Sequence, residues 1–118
     1  MNQAIIIETL ESMKGYVPKL VMASETIVHD IQTHEGNWAN VLVAYLEGIS
    51  WLTMAIEGIT RLDQNILADW DINALASVVE QLNGSLEQQD FVSLCDLLLY
   101  ELQPILKSFE NKLQGMIQ

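Results

Sequence analysis

The residues able to do chemistry are two histidines, one cysteine and sixteen acids. Glu25 precedes His29 by four positions and Asp30 precedes His34 by four, so each pair meets on one face if the segment is helical. A metal centre needs three or four convergent ligands. The Glu-x-x-His spacing of di-iron bundles is missing, since no acid stands three before either histidine. Glu8 with Glu11, and Glu87 with Asp90, have the spacing by which helical nucleotide pyrophosphohydrolases hold magnesium. Those pairs lie at opposite ends of the chain, and sixteen acids produce such pairs by chance. Cys95 has no histidine on its own segment to activate it and behaves as a small apolar residue. There is no serine elbow and no Gly-rich phosphate loop. These residues therefore give no catalytic group, no metal ligand set and no cofactor. The rival is a carboxylate-based metal-binding protein or hydrolase using Glu8, Glu11, Glu25, His29 and Glu47.

The elements that would position any site are all helical. In the first segment Ile6, Leu10, Met13, Val17, Leu20, Ser24, Ile27 and Ile31 follow a 4-3 spacing that only Ser24 interrupts. The stripe keeps its phase through Gly15 and Pro18, so helix 1 is expected over about 3–32, kinked or broken near Gly15–Pro18. After His34-Glu35-Gly36-Asn37, a second seam runs through Trp38, Leu42, Tyr45, Ile49, Leu52, Ile56 and Ile59. Beside it Gly48 and Ala55 admit a close neighbour. Asp71 is the expected N-cap of a third helix reaching about residue 88, with Trp70 and Leu75 as a staple. That helix carries Ile72, Leu75, Val79, Leu82 and Leu86. Asp90 caps a fourth, with Phe91, Cys95, Leu98, Leu102, Ile105 and Phe109 as its seam and a bend at Pro104. Short connections make the expected fold class all-α, a single domain over residues 1–118, an antiparallel up-down four-helix bundle.

Composition narrows the function. The chain has 118 residues, of which 50% are hydrophobic, and a net charge of −11. That much apolar content excludes a disordered chain. Lys14, Lys19, Arg61, Lys107 and Lys112 are too few for nucleic acid or an anionic membrane surface. Glu8 interrupts the N-terminal apolar run, no stretch approaches about 18 uninterrupted apolar residues, and one cysteine forms no intrachain disulfide. A cytoplasmic setting is expected.

Some apolar residues fall outside the seams. Ala44, Trp51 and Gly58 form a column seven apart on helix 2, and Leu97, Tyr100 and Pro104 lie on the outer side of helix 4. The expected partner-binding residues on this ground are Trp51, Leu97, Tyr100 and Pro104. Either they form an interface or kinked helix 1 covers them.

Two segments also carry a resemblance. Glu47-Gly48-Ile49-Ser50-Trp51-Leu52 and Asp96-Leu97-Leu98-Leu99-Tyr100-Glu101-Leu102-Gln103-Pro104, with Gln89-Asp90-Phe91 between them, are similar to an uncharacterised family. Its members are short acidic helical proteins of Gram-positive spore-forming bacteria. The likeness runs from Tyr16 onward, supports the fold and the cytoplasmic setting, and implies no activity. It draws attention to Trp51, Asp96, Tyr100, Glu101 and Pro104, which adds Asp96 and Glu101 to the expected partner-binding residues. The functional expectation is a non-enzymatic protein-interaction module that binds a partner helix or tail on an apolar groove. It is also allowed to be a homodimer, and its specific version is an adaptor or export chaperone, by analogy of size, charge and fold. A structural subunit of an oligomer is the third reading.

Overall fold

The computed structural model describes residues 2–34 and 36–116, with the side chain of Asn2 outside that description. Glu35, in the expected first connection, also falls outside it. The described residues form four helical rods and no strand. Helix α1 spans Asn2–Thr33, α2 Trp38–Leu62 and α3 Ile72–Glu87. The last rod joins α4 (Phe91–Asp96), a π-helical stretch (Leu97–Leu102) and α5 (Gln103–Met116). The molecule measures 47 × 23 × 20 Å, the long axis matching a 32-residue helix at about 1.5 Å per residue.

Helix α1 is one uninterrupted helix through Gly15 and Pro18. The break that the sequence left open does not occur. All eight positions of its seam are buried. Burial of Met13 and Val17 before Pro18, and of Leu20 and Val21 after it, holds the helix against its neighbours on both sides of the proline. Ser24 is fully buried as well, because Tyr45 of α2 supplies it with a polar partner.

Contacts between α1 and α2 run in opposite chain order. Ser24 bonds Tyr45, Leu20 and Tyr16 lie over Gly48, and Tyr16 meets Trp51. A β-carbon on Gly48 would collide with the Tyr16 hydroxyl, so glycine permits this helix approach. At the neighbouring contact with the last rod, Gln103 donates to Glu25 Oε1 at 2.8 Å.

Both expected caps are present. Asp71 accepts from the Ala74 N–H at 2.9 Å, and Asp90 accepts from the Ser93 N–H at 3.1 Å. Trp70 does more than sit before the helix. It stacks on Phe109 of α5 with ring centroids 4.4 Å apart, so the 63–71 connection closes one end of the bundle. Leu67 is buried in the same connection.

The bend expected at Pro104 takes the form of a π turn. In an α-helix the proline ring would meet the carbonyl of Tyr100. The wider turn, in which the Gln103 N–H reaches Leu98 O, removes that clash. It also moves one seam position, from Ile105 to Leu106. The buried positions after Leu102 are Gln103, Leu106, Phe109 and Leu113, so the expected Phe109 is in place and the expected Ile105 is half-buried. Phe91, expected in the seam, is 38% exposed and packs edge-on against Trp38. In α3 the core positions are Leu75, Val78 and Leu82, while Val79 lies half-buried beside them.

Helix α2 is long and apolar enough by composition to cross a membrane, although it holds no uninterrupted apolar run of that length. Its stripe from Leu42 to Ile59 is buried within the bundle, and about a third of its apolar window is buried in all.

Candidate functional site

A groove runs between α1 and α2. Its α1 wall is Ile5, Thr9, Ser12 and Tyr16, again at 4-3 spacing, one residue before each seam position. Its α2 wall carries Ala44, Gly48, Trp51, Ala55, Gly58 and Leu62. Two cavities of about 590 and 460 Å³ meet at Trp51 and Ser12. Trp51 therefore stands at the centre of the groove. It is 39% exposed and meets Tyr16 edge-on, with centroids 5.4 Å apart and planes at 82°. Ile5, Met54 and Leu62 add exposed apolar surface. Among the described residues, Glu8 and Glu47 are the charged groups that line it, one toward each end.

The structure does not bring the expected binding residues into one groove. Trp51 lines the α1/α2 groove. Asp96 and Leu97 line a polar cavity of about 440 Å³ with Gln81, Ser85, Asp90 and Ser93, between α3 and the last rod. Leu97 also packs half-buried against the core, so it is not an outer residue. Tyr100 stands 71% exposed on the π turn, with Pro104 and Glu101 exposed nearby. The expected set is thus two surfaces, one centred on Trp51 and one on Tyr100.

The column Ala44, Trp51 and Gly58 read from the sequence is the α2 wall of the groove. Tyr16, Ile5, Ser12 and Met54 were not read as site residues. The signal for the α1 members was available, because their 4-3 stripe flanks the seam at the same period.

The residues considered for chemistry have other surroundings. Glu25 accepts from Gln103, and the Asp30 carboxylate lies against Gly36 in the turn after α1. His29 is exposed, and His34 ends α1 with a positive φ of 56°. Among the described residues no three of His, Cys, Asp and Glu are grouped to hold a metal ion. The Asp90 carboxyl is held below its ordinary range by the Ser93 hydroxyl, at 2.7 Å, and then by the Ser93 N–H. Burial, then the neighbouring Asp96 carboxylate, push the Cys95 thiol up, away from the reactive thiolate.

Fold and groove together define an all-helical domain with an aromatic-centred cleft between its first two helices. The chain belongs to a family described as a domain of unknown function, DUF8042, whose model matches residues 8–112. No curated protein and no solved structure matches it.

Proposed function

We propose that this domain is a non-enzymatic protein-interaction module that docks a partner's helix or tail in the α1/α2 groove. The carrying observation is the pair of facing stripes that leave Trp51, Met54 and Ile5 exposed along one cleft. Tryptophan is enriched among the residues that dominate binding energy. Helix-in-groove docking uses an apolar channel of this kind. Under this reading the four rods alternate up and down, and the ring of Pro18 bends α1 without breaking it. The opposite order of the α1/α2 contacts and the missing Pro18 N–H support those two points. Tyr100, Pro104, Asp96 and Glu101 form a second, smaller contact surface in the proposal, on the strength of Tyr100's exposure. The setting is cytoplasmic, in keeping with a single buried thiol. An adaptor or export chaperone is the version that size and charge favour.

Photo-crosslinking in cells tests the reading. A crosslinking residue in place of Met54, in the groove, is expected to trap a discrete protein adduct. The same group in place of exposed Glu80 on α3 is expected to trap none. Adding Trp51→Ala should abolish the Met54 adduct. Equal adducts from both positions, or none from Met54, would overturn the proposal.

A further inference from the structure

We infer that the groove's occupant is a basic amphipathic helix, one of whose lysines or arginines seats beside Trp51, Tyr16 and Glu47. This rests on the groove being a docking site and adds the chemistry of what docks there.

The size fits a helix. From Ala44 to Leu62 the α2 wall rises about 27 Å, roughly five helical turns. The apolar floor of Ile5, Trp51, Met54 and Leu62 calls for an apolar stripe on the occupant. The charge selects the rest of its composition. Among the described residues the groove lining holds two carboxylates, Glu8 and Glu47, and no lysine or arginine. At the chain's net charge of −11, an acidic helix is repelled and a basic one is attracted over a distance. A second copy is a poor occupant, because it brings the same excess of acid. Among its few cations, Arg61 pairs with Glu57 and Lys112 with Asp69.

One end of the groove is more specific. Tyr16 and Trp51 stand nearly perpendicular, and Glu47 lines the same cavity. A cation gains from an aromatic face, most of all that of tryptophan, and from a carboxylate in the same partly enclosed site. An apolar side chain there would leave Glu47 without that gain.

Calorimetric titration of the full-length protein tests the inference. The probe is a synthetic leucine/lysine peptide of about 18 residues in helical amphipathic order. The controls are a scrambled peptide of the same composition and a leucine/glutamate counterpart. The ordered leucine/lysine peptide is expected to bind at least about tenfold more tightly than either control. Glu47→Gln should weaken it by roughly threefold to tenfold, and Trp51→Ala by more than about tenfold. Glu80→Gln, on the exposed face of α3 and outside the groove, should leave it unchanged. Both groove positions are exposed, and helical circular dichroism of the two variants checks that they fold. Equal binding of the scrambled peptide, or no effect of Glu47→Gln, overturns the inference. If the leucine/glutamate helix binds as well and still needs Trp51, the occupant's chemistry is wrong while the docking groove stands. Self-association abolished by Trp51→Ala would make a second copy the occupant and overturn the inference likewise. If no helix binds and the Met54 crosslink is also missing, both readings fall.

Discussion

The Ser24 hydroxyl and the Tyr45 hydroxyl stand 2.8 Å apart in the core, joining α1 to α2 through the one polar position of the first seam. Ser24 also donates to the Leu20 carbonyl at 3.0 Å, so the tyrosine O–H donates to Ser24. The two partners are not equivalent. Ser24→Ala leaves a buried tyrosine hydroxyl without an acceptor and should cost about 1–3 kcal/mol. Tyr45→Phe leaves Ser24 still bonded to Leu20 and should cost about 0.5–1.5 kcal/mol. The double variant should lie close to Tyr45→Phe. Urea unfolding measures all three, and equal losses from the two single variants would contradict the direction of the bond.

The same tyrosine sets an alkaline limit. Burial raises its pKa well above the ordinary 10.0, and the Ser24 hydroxyl, which can turn to donate to the ionised oxygen, offsets only part of the shift. A group whose pKa is raised by folding gives stability that is whole below its unfolded pKa. That stability is lost as pH rises toward the folded value. Melting temperature should therefore fall above about pH 10, and Tyr45→Phe should fall less steeply. Parallel curves for the two proteins would remove Tyr45 as the cause.

Gly48 and Gly58 lie ten residues apart on α2 and should respond differently to alanine. At Gly48 the new methyl meets Tyr16 and Leu20, an overpacking cost of about 1–3 kcal/mol set against a propensity gain of about 1 kcal/mol. At Gly58 nothing lies within 4 Å, so only the gain remains. Gly58→Ala should stabilise by about 0.5–1 kcal/mol, and Gly48→Ala should be neutral or destabilising. Thermal unfolding of the two variants decides the point; a stabilised Gly48→Ala would mean that α1 has room to move away.

How far these features can be read from sequence depends on range. The seams of α1 and α2 were legible because burial on one face imposes a 4-3 period that neither Pro18 nor Gly48 disturbs. The caps at Asp71 and Asp90 were legible because they depend on residues within one turn. The shift from Ile105 to Leu106 was not, since a proline signals a distortion without saying whether the helix kinks or widens to a π turn. Trp51 was legible as an apolar residue off the seam. Its partner Tyr16 and its separation from Tyr100 were not, because they depend on which rods are neighbours. Gln103 gave no sign in sequence of being a core residue. It is 6% exposed only because Glu25 and the Val21 carbonyl meet it there.

Asp90 links the start of the last rod to acid stability. The Ser93 hydroxyl and N–H lower its pKa from the ordinary 3.8. Its contribution is present above that value and is lost as pH falls through the lower folded value. Asp90→Asn keeps an N-cap and removes the titration. The melting temperature of that variant should decline less steeply below about pH 4 than that of the parent. Identical acid limbs would show that the carboxylate's charge contributes nothing there.

Cys95 is 5% exposed, and burial together with Asp96 disfavours its thiolate. Since the thiolate is the reacting species, two barriers act together, access and ionisation. A thiol-specific disulfide reagent at neutral pH should label the native protein at least roughly tenfold more slowly than the urea-unfolded chain. Because exposing Cys95 requires opening the seam through Leu94, Leu98 and Leu102, the slow rate should rise with denaturant in step with unfolding. Any dimer that forms should persist in reductant, since its contacts would exclude this sulfur. Rapid labelling of the native chain would show that the last rod opens locally at its π turn. A dimer dispersed by reductant would show the same opening.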